Sequence, residues 1–309
     1  MANTTQHMAS QLEQLASRAN GAGNTLIVCP VTSPWYPALA QLKTVDSVLG
    51  SSQIYGDIAS AVAACVSDRG DTIIVTPGAY APAAEIVVSK NDVTIVGLGG
   101  SPEATKVTGP AISGKCAIKV TADNVTVQNL YLVGNVADGY GFGSTGVYTS
   151  LINCRFGSDN GTAPTQTAGA IFDASAAAAA LAPRIKGCRC TTCGTGLVLN
   201  SGNGATKVLT GAVIEDCVFG NNAVGGDIVS SGTTASSGVN ISRCTFQGNS
   251  ANKLIAITSP ALGGLVSSCC FNVADNTKAL LTGGGALGAT QGFVNNYTLV
   301  GLSTAKPGP

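Results

Sequence analysis

The chain has 309 residues, and its 16 Lys and Arg balance 16 Asp and Glu, so the formal net charge is zero. Charged residues make up 10% of the chain, against roughly 25% in an average soluble domain, where glycine is also much rarer than the 40 residues found here. This composition excludes a protein that coats nucleic acid through basic blocks, and it excludes an intrinsically disordered chain, which combines low hydrophobicity with high net charge.

Residues 1–53 are predicted to form an arm outside the main domain. They show neither the basic start nor the apolar core of a secretion signal, and the chain has no run of about 18 apolar residues for a membrane span. Trp35 and Tyr36 stand between Pro34 and Pro37, which favours extended chain. We expect these two aromatic residues to dock on a partner; the alternative is that they pack on the protein itself.

Residues 56–67 are predicted to be a short amphipathic helix, because Ile58, Val62, Cys65 and Val66 recur at helical spacing. Short runs of Val and Ile, separated by Gly, Asn, Ser and Thr, follow this segment. Such runs are typical of strands joined by turns.

Three of these runs, Gly70–Ile73 (GDTI), Pro77–Tyr80 (PGAY) and Asn91–Gly97 (NDVTIVG), resemble the first coils of the pectate-lyase-like right-handed parallel β-helix superfamily. In that superfamily an amphipathic helix plugs the N-terminal end of the solenoid. The resemblance covers residues 54–300 and implies an all-β fold, a right-handed single-stranded parallel β-helix with a capping helix at residues 56–67. It implies no particular activity, because the superfamily hosts many unrelated functions.

A pattern of Cys or Asn, one residue, then an aromatic residue recurs at intervals of 25 to 34 residues, which is typical of one coil of a β-solenoid. Stacked coils are expected to place like residues over like in two interior columns. The small-residue column would contain Asn129, Cys154, Cys188, Cys217, Cys244, Cys269 and Asn295. The aromatic column would contain Tyr131, Phe156, Cys190, Phe219, Phe246, Phe271 and Tyr297.

Residues 301–309 are predicted to be a flexible tail, and no helix is evident that would cap the last coil. An open coil exposes unpaired strand edges, which proteins usually cover. We therefore expect a sister subunit, in a homotrimer, or another partner to cover this end.

The catalytic candidates are Glu215, Asp216, Arg189 and Arg243. Enzymes that hydrolyse sugar polymers use paired carboxylic acids, one of which has a raised pKa. Asp216 is expected to lie between Arg189 and Arg243 of adjacent coils, and two cations would lower its pKa instead. A surface ladder of ion pairs is therefore preferred over a catalytic site.

The spacing of Cys188, Cys190 and Cys193 resembles part of a zinc site. Such sites usually have four ligands, no fourth ligand is evident, and two of the three cysteines already have places in the interior columns. We expect no metal and no other cofactor. In oxidising surroundings a disulfide among the three is the alternative.

The predicted function is that of a non-enzymatic structural protein of a virion, a decoration or spike on a phage capsid or tail. This prediction depends on the missing secretion signal, the N-terminal arm, the neutral surface and the lack of a clear catalytic cluster. The expected partners are sister subunits, a capsid or tail protein and a host surface glycan, with no nucleic acid and no membrane insertion. The alternatives are a tailspike-like polysaccharide lyase or hydrolase, or a glycan-binding adhesin.

Overall fold

The computed structural model of the chain is a right-handed parallel β-solenoid built from three sheets, which confirms the predicted fold class. The structure describes residues 23–37, 39, 54–136, 139–157, 167–174, 181–200, 209–220, 222, 226–231, 236–247, 255–257, 261–272, 281–282, 291–294, 296–298 and 301–303.

The described elements are short, as expected for a chain with so many turn residues. One α-helix, α1, spans Ile58–Ala64, and one 3-10 helix spans Pro102–Ala104. The strands in chain order are β1 (Thr25–Val28), β2 (Ile54–Tyr55), β3 (Thr72–Val75), β4 (Gly78–Tyr80), β5 (Ile86–Val88), β6 (Thr94–Gly97), β7 (Thr105–Thr108), β8 (Cys116–Val120), β9 (Thr126–Gln128), β10 (Tyr131–Val133), β11 (Tyr140–Ser144), β12 (Ser150–Ile152), β13 (Arg155–Phe156), β14 (Ala168–Asp173), β15 (Arg184–Lys186), β16 (Arg189–Thr191), β17 (Thr195–Asn200), β18 (Val213–Glu215), β19 (Val218–Gly220), β20 (Gly226–Ser231), β21 (Ser236–Ser242), β22 (Thr245–Gln247), β23 (Ile255–Ile257), β24 (Ala261–Ser267), β25 (Cys270–Asn272), β26 (Leu281–Thr282), β27 (Gln291–Val294), β28 (Asn296–Thr298) and β29 (Gly301–Ser303).

Each coil contributes one strand to each of three sheets. Sheet A has the order β2-β1-β3-β6-β9-β12-β15-β18-β21-β24-β27. Sheet B runs β29-β28-β25-β22-β19-β16-β13-β10-β7-β4, and sheet C runs β26-β23-β20-β17-β14-β11-β8-β5. Strands that belong to adjacent coils are parallel and in register, so each side chain lies over its equivalent one coil away.

The two interior columns are confirmed over most of their length, with corrections at their ends. Phe156, Cys190, Phe219, Phe246 and Phe271 follow one another in register and are buried. At the start of this column, however, Leu132 pairs with Phe156, and the predicted member Tyr131 pairs with Arg155 on the outer face. At its end Thr298, not Tyr297, pairs with Phe271.

The small-residue column is corrected in the same way. Since Tyr131 pairs with Arg155, the neighbour of Cys154 is the buried Leu130, and Asn129 is displaced by one position. A displacement of one residue moves a side chain to the opposite face of a strand. Asn295 lies outside the described residues.

The displaced Asn129 belongs to the tight bend between sheets A and B. The bend residue of successive coils has positive φ, a backbone conformation that Gly and Asn tolerate best. These bend residues are Asn129 (54°), Asn153 (48°), Gly187 (64°), Asp216 (58°), Arg243 (53°) and Ser268 (55°). Two of the catalytic candidates, Asp216 and Arg243, are thus fixed by the backbone at the outer corner of the solenoid.

Helix α1 closes the N-terminal end of the core but is shorter than the predicted 56–67. Asp57 caps it by accepting a hydrogen bond from the Ser60 amide at 2.7 Å, and the extended backbone of Cys65 ends it. Ile58 and Val62 are buried against the core, whereas Val66, beyond the helix end, is 49% exposed.

Asp71 links separate segments of the chain at the N-terminal end of the solenoid. Its buried carboxylate accepts hydrogen bonds from Arg69 at 2.6 and 2.7 Å and from the amides of Val66 and Asn24, both at 2.7 Å. Although burial alone raises the pKa of Asp71, these donors hold it below its usual value.

Part of the predicted arm lies within the solenoid. Thr25–Val28 forms β1, which pairs in register with β3. Trp35 and Tyr36 pack over apolar side chains of sheet A that include Ile74 and Val96, as the alternative prediction expects. Both side chains are only partly buried, and their docking on a partner stays a prediction.

Part of the predicted tail is also ordered. Gly301–Ser303 forms β29, which pairs antiparallel with β28 and covers that edge of sheet B. Residues 304–309 and 1–22 lie outside the described part of the chain. Within the described part, no helix is long and apolar enough to cross a membrane.

Phe246 tests whether the aromatic column stabilises the fold. It is fully buried, with ring centroids 5.3 Å from Phe219 and 4.9 Å from Phe271. Because Phe246→Ala leaves a cavity between two stacked rings, we expect the free energy of unfolding to fall by about 3–5 kcal/mol in urea denaturation. Leu265→Ala, at an exposed position of β24, is the control and should change it by less than about 0.5 kcal/mol. Equal losses in the two variants would contradict the prediction.

Candidate functional site

One cluster of charged side chains lies on the outer faces of sheets A and B and at the bend between these two sheets. We call this cluster the basic corner. Its cations are Lys106, Arg155, Arg184, Lys186, Arg189 and Arg243, and its carboxylates are Glu103, Glu215 and Asp216. Six positive charges against three negative charges leave the corner with a net charge of +3, although the whole chain is neutral.

Glu215 is the centre of the corner. Its side chain, 14% exposed, contacts Arg184 at 3.0 Å, Lys186 at 3.5 Å and Arg243 at 2.9 Å. Register explains this grouping, because Lys186 of β15 pairs with Glu215 of β18. The hydrogen bond from Arg184, with those from Arg243 and the charge of Lys186, holds the pKa of Glu215 below its usual range.

Among the described residues, Asp216 forms its ion pair with Arg243, through Nε at 2.7 Å and Nη2 at 3.1 Å. This bidentate contact holds the pKa of Asp216 below its usual value. Glu215 and Asp216 are therefore both ionised at neutral pH. A glycoside hydrolase needs one protonated carboxylic acid, and this pair does not supply it.

The predicted placement of Arg189 is wrong. The bend residue next to Asp216 in the adjacent coil is Gly187, while Arg189 opens β16 on the outer face of sheet B. The sequence analysis also missed Arg184. Arg184 lies two residues before Lys186 on the same strand, so both side chains are on the outer face. The alternation of faces along a strand would have predicted this placement from the sequence.

A second group of cations lines sheet B. Lys106, Tyr131, Arg155 and Arg189 follow one another in register on three strand pairs. The Tyr131 ring lies 5.3 Å from the Lys106 Nζ and 4.7 Å from the Arg155 guanidinium carbon. Tyr131 is thus covered by cations, and only 2% of it is exposed.

Arg155 retains donor capacity that the described residues do not use. Its Nη1 contacts Glu103 at 3.1 Å, but its Nε is buried without a hydrogen-bond partner among them.

The three cysteines considered for a metal site are separated by the fold. Cys188 belongs to the small-residue column and Cys190 to the aromatic column, while the Cys193 amide donates to Asn222 Oδ1 at 3.0 Å. In the described part of the chain, no three His, Cys, Asp or Glu side chains group as metal ligands would.

Asp227 is the notable interior carboxyl, and the sequence analysis did not single it out. It is 3% exposed, and its Oδ1 accepts a hydrogen bond from Asn222 Nδ2 at 2.6 Å, while Oδ2 has no partner among the described residues. The adjacent coil approaches closely at Gly196, where a Cβ would lie 2.5 Å from the Asp227 carbonyl oxygen and 3.0 Å from Asn222 Nδ2. Burial raises the pKa of Asp227 to about 7.

A cleft of about 480 Å³ lies at the N-terminal end, beside the start of α1 and residues 79–86. Its two carboxylates are already bound within the fold: Asp57 caps α1, and Glu85 accepts a hydrogen bond from the Cys116 amide at 2.8 Å. The lining is otherwise mostly Ala, Pro and Ile, so the cleft offers little chemistry.

No protein-family model and no curated protein sequence matches this chain. Solved structures do match it. A pectin methylesterase from carrot is 13% identical, with 83% of this chain and 82% of that chain covered and a TM-score of 0.52. A pectin methylesterase variant in complex with a hexasaccharide is 10% identical, with 91% of each chain covered and a TM-score of 0.53. The Escherichia coli protein YbhC is 11% identical, with 89% and 85% covered and a TM-score of 0.51.

At these identities the likeness shows the fold, and it confirms the resemblance to right-handed parallel β-helix proteins. The predicted function of a non-enzymatic virion component is wrong by the same comparison. Two of the three named matches are pectin methylesterases, and none of the three is described as a phage, capsid or tail protein. The alternative, a protein that acts on or binds a polysaccharide, fits them better. The homotrimer, the protein partners and the location in a virion stay predictions.

The interior carboxyl of Asp227 predicts a pH-dependent stability. Its pKa is about 7 in the folded chain, against an ordinary value of 3.8. The unfolded chain therefore loses this proton first as the pH rises. The contribution of Asp227 to stability should be greatest below about pH 4, fall by up to about 4 kcal/mol towards pH 7 and level off above it.

Urea unfolding of Asp227→Asn between pH 4 and pH 8 measures this effect. We expect the variant to lack the decline, because an amide at this position does not ionise. Asp92→Asn is the control, since Asp92 is a partly exposed bend residue whose positive φ of 57° suits asparagine. The control should keep the wild-type dependence of stability on pH. If Asp227→Asn also kept it, the prediction would be contradicted.

Proposed function

We propose that this chain recognises an acidic polysaccharide through the basic corner. The observation that carries the proposal is the +3 cluster itself, which stands on one side of a protein whose total charge is zero. Four of its six cations are arginines, Arg155, Arg184, Arg189 and Arg243. Arginine binds carboxylates with two parallel hydrogen bonds and holds its charge at every physiological pH.

The repetition of the coils supports a polymer rather than a small anion as the ligand. Arg155 and Arg189 pair in register on adjacent strands, which lie about 4.8 Å apart in a β-sheet. A chain of sugar acids also presents its carboxylates at regular intervals. Its length would let it contact the cations of several coils at once.

The fold comparison supports the same ligand class. The matching structures include pectin methylesterases, one of them with a bound hexasaccharide. The electrostatics favour binding over glycoside hydrolysis, because Glu215 and Asp216 are both held in the ionised form. Stacking on aromatic rings contributes little here, since Tyr131 is already covered by Lys106 and Arg155.

Binding to polygalacturonate, with neutral dextran as the comparison polymer, tests the proposal. We expect binding of polygalacturonate alone, weakening as the salt concentration rises, because the contacts are between charges. Removing both charges in Arg155→Gln with Arg189→Gln should reduce the affinity at least about 10-fold, given about 1.5–3 kcal/mol for each hydrogen bond to a charged group.

Lys119→Gln is the matched control, because Lys119 lies on a different face, in β8 of sheet C. It should leave the affinity within about twofold of the wild type, as expected for a charge beyond screening distance. Equal binding of dextran, or equal losses in the arginine and lysine variants, would overturn the proposal. Methanol release from methyl-esterified pectin, measured in parallel, would assign an esterase activity in addition to binding.

A further inference from the structure

Five cysteines stack one above another inside the solenoid, one in each of five successive coils. They are Cys154, Cys188, Cys217, Cys244 and Cys269, and we call this column the thiol ladder. Each is buried, with at most 1% of its surface exposed. Every cysteine of the described structure is a free thiol, so the ladder is fully reduced.

Backbone hydrogen bonds hold the ladder members at strand spacing. The Cys154 carbonyl accepts from the Arg189 amide at 2.9 Å, the Cys188 carbonyl from Val218 at 2.9 Å and the Cys217 carbonyl from Thr245 at 2.8 Å. Since each donor directly follows the next cysteine of the column, consecutive ladder cysteines occupy adjacent strand positions. Strands of a sheet lie about 4.8 Å apart.

Side-chain geometry aligns the sulfurs along the column. The Cys154 amide donates a hydrogen bond to Cys188 Sγ at 3.5 Å. Each ladder thiol also lies within hydrogen-bonding distance of two carbonyl oxygens, one of its own coil and one of the adjacent coil; Cys188 Sγ, for example, is 3.5 Å from the Lys186 oxygen and 3.6 Å from the Leu151 oxygen. These repeated acceptors keep all five sulfurs on the same side of the bend.

We propose that the thiol ladder is an oxidation site, at which adjacent coils become joined by a disulfide between consecutive ladder cysteines. The reaction consumes two thiols and one low-molecular-weight disulfide such as glutathione disulfide. One protein thiolate attacks it, and the resulting mixed disulfide is attacked by the neighbouring ladder thiol. One S–S bond forms in the protein, and two glutathione thiols leave with the two protons and two electrons.

The geometry suits this bond. A disulfide spans Cα atoms about 4.4–6.8 Å apart, a range that includes the strand spacing, and the two side chains point in the same direction from adjacent strands. Five thiols allow at most two disulfides and leave one thiol over. Cys188, Cys217 and Cys244 each have a sulfur neighbour on both sides, so the remaining thiol can attack an adjacent disulfide and move the link by one coil.

The other interior cysteines lie outside this column. Cys190 lies between Phe156 and Phe219 in the aromatic column. Cys29, Cys65, Cys116 and Cys193 are buried elsewhere, and Cys270 is exposed. The proposal therefore pairs Cys188 with a ladder cysteine of an adjacent coil, whereas the disulfide considered from sequence pairs it with Cys190 or Cys193.

Oxidation of the ladder needs local opening, because its sulfurs are buried. Burial raises the pKa of Cys188 well above its ordinary value, so the reactive thiolate is scarce while the coils stay closed. We therefore expect the reaction to quicken in urea concentrations below the unfolding midpoint.

Peptide mapping tests the proposal. The full chain is incubated with glutathione disulfide in a series of such urea concentrations, then alkylated in denaturant and digested with trypsin without reduction. Lys119, Arg155, Lys186, Arg189, Lys207, Arg243 and Lys253 place the five ladder cysteines in five different tryptic peptides. The expected products are peptides joined between consecutive ladder cysteines, with a fall in alkylated thiols from eleven to nine or seven.

Two variants sharpen the result. Cys217→Ser leaves two separate pairs, so Cys154–Cys188 and Cys244–Cys269 should be its only ladder products. Cys188→Ser with Cys244→Ser leaves no consecutive pair, so ladder disulfides should vanish. Oxidised wild type should unfold at a higher urea concentration and return to its original midpoint on reduction. Glutathione found only on Cys270, or cross-links to Cys29 and Cys116 as frequent as ladder links, would overturn the proposal.

Discussion

Parallel, in-register hydrogen bonding between coils is the interaction on which the rest of this structure depends. Strand pairs such as β12–β15 and β15–β18 align each residue with its equivalent in the next coil. Whatever one coil places inside, outside or at a bend is therefore repeated directly above and below it. The stacked rings of Phe219, Phe246 and Phe271 and the aligned cysteines of the thiol ladder are two results of this repetition.

The same repetition limits where charge is tolerated. A column of like charges on adjacent strands repels, which agrees with the low share of charged residues in this chain, 10%. The basic corner is the exception, and its members reduce the repulsion in two ways. Glu215 stands among three cations, and the Tyr131 ring separates Lys106 from Arg155. The Arg155–Arg189 pair has no such separation, and it is there that we propose an external anion binds.

Burial affects the interior acids according to the partners they find. Asn222 donates a hydrogen bond to one oxygen of the buried Asp227, and the other oxygen has no partner among the described residues. Desolvation therefore raises the pKa of Asp227, which makes stability depend on pH. The buried Asp71 and the corner residues Glu215 and Asp216 stay ionised instead, because each accepts hydrogen bonds from an arginine.

The sequence by itself determined the solenoid, its coil length, the cap at the N-terminal end and most members of the two interior columns. These features recur in every coil, so a pattern read along the chain is repeated evidence for the same local structure. Strand register, which the pattern along the chain does not specify, decided where each column begins. The pattern predicts that Asn129 and Tyr131 continue the columns of Cys154 and Phe156, but the register places each of them one position outside its column.

Only part of the charged site could be predicted from the sequence, because strand register also decides which charged residues meet. Glu215, Asp216 and Arg243 are near the bend in each reading, but Arg184 joins them, and Arg189 lies on another sheet, only because of strand register. Trp35 and Tyr36 pack on sheet A, and the Asp227 backbone lies close to Gly196 of the adjacent coil. Both arrangements likewise depend on residues distant in sequence. Local pattern specifies which face a side chain takes; only the alignment of coils specifies which side chain it meets.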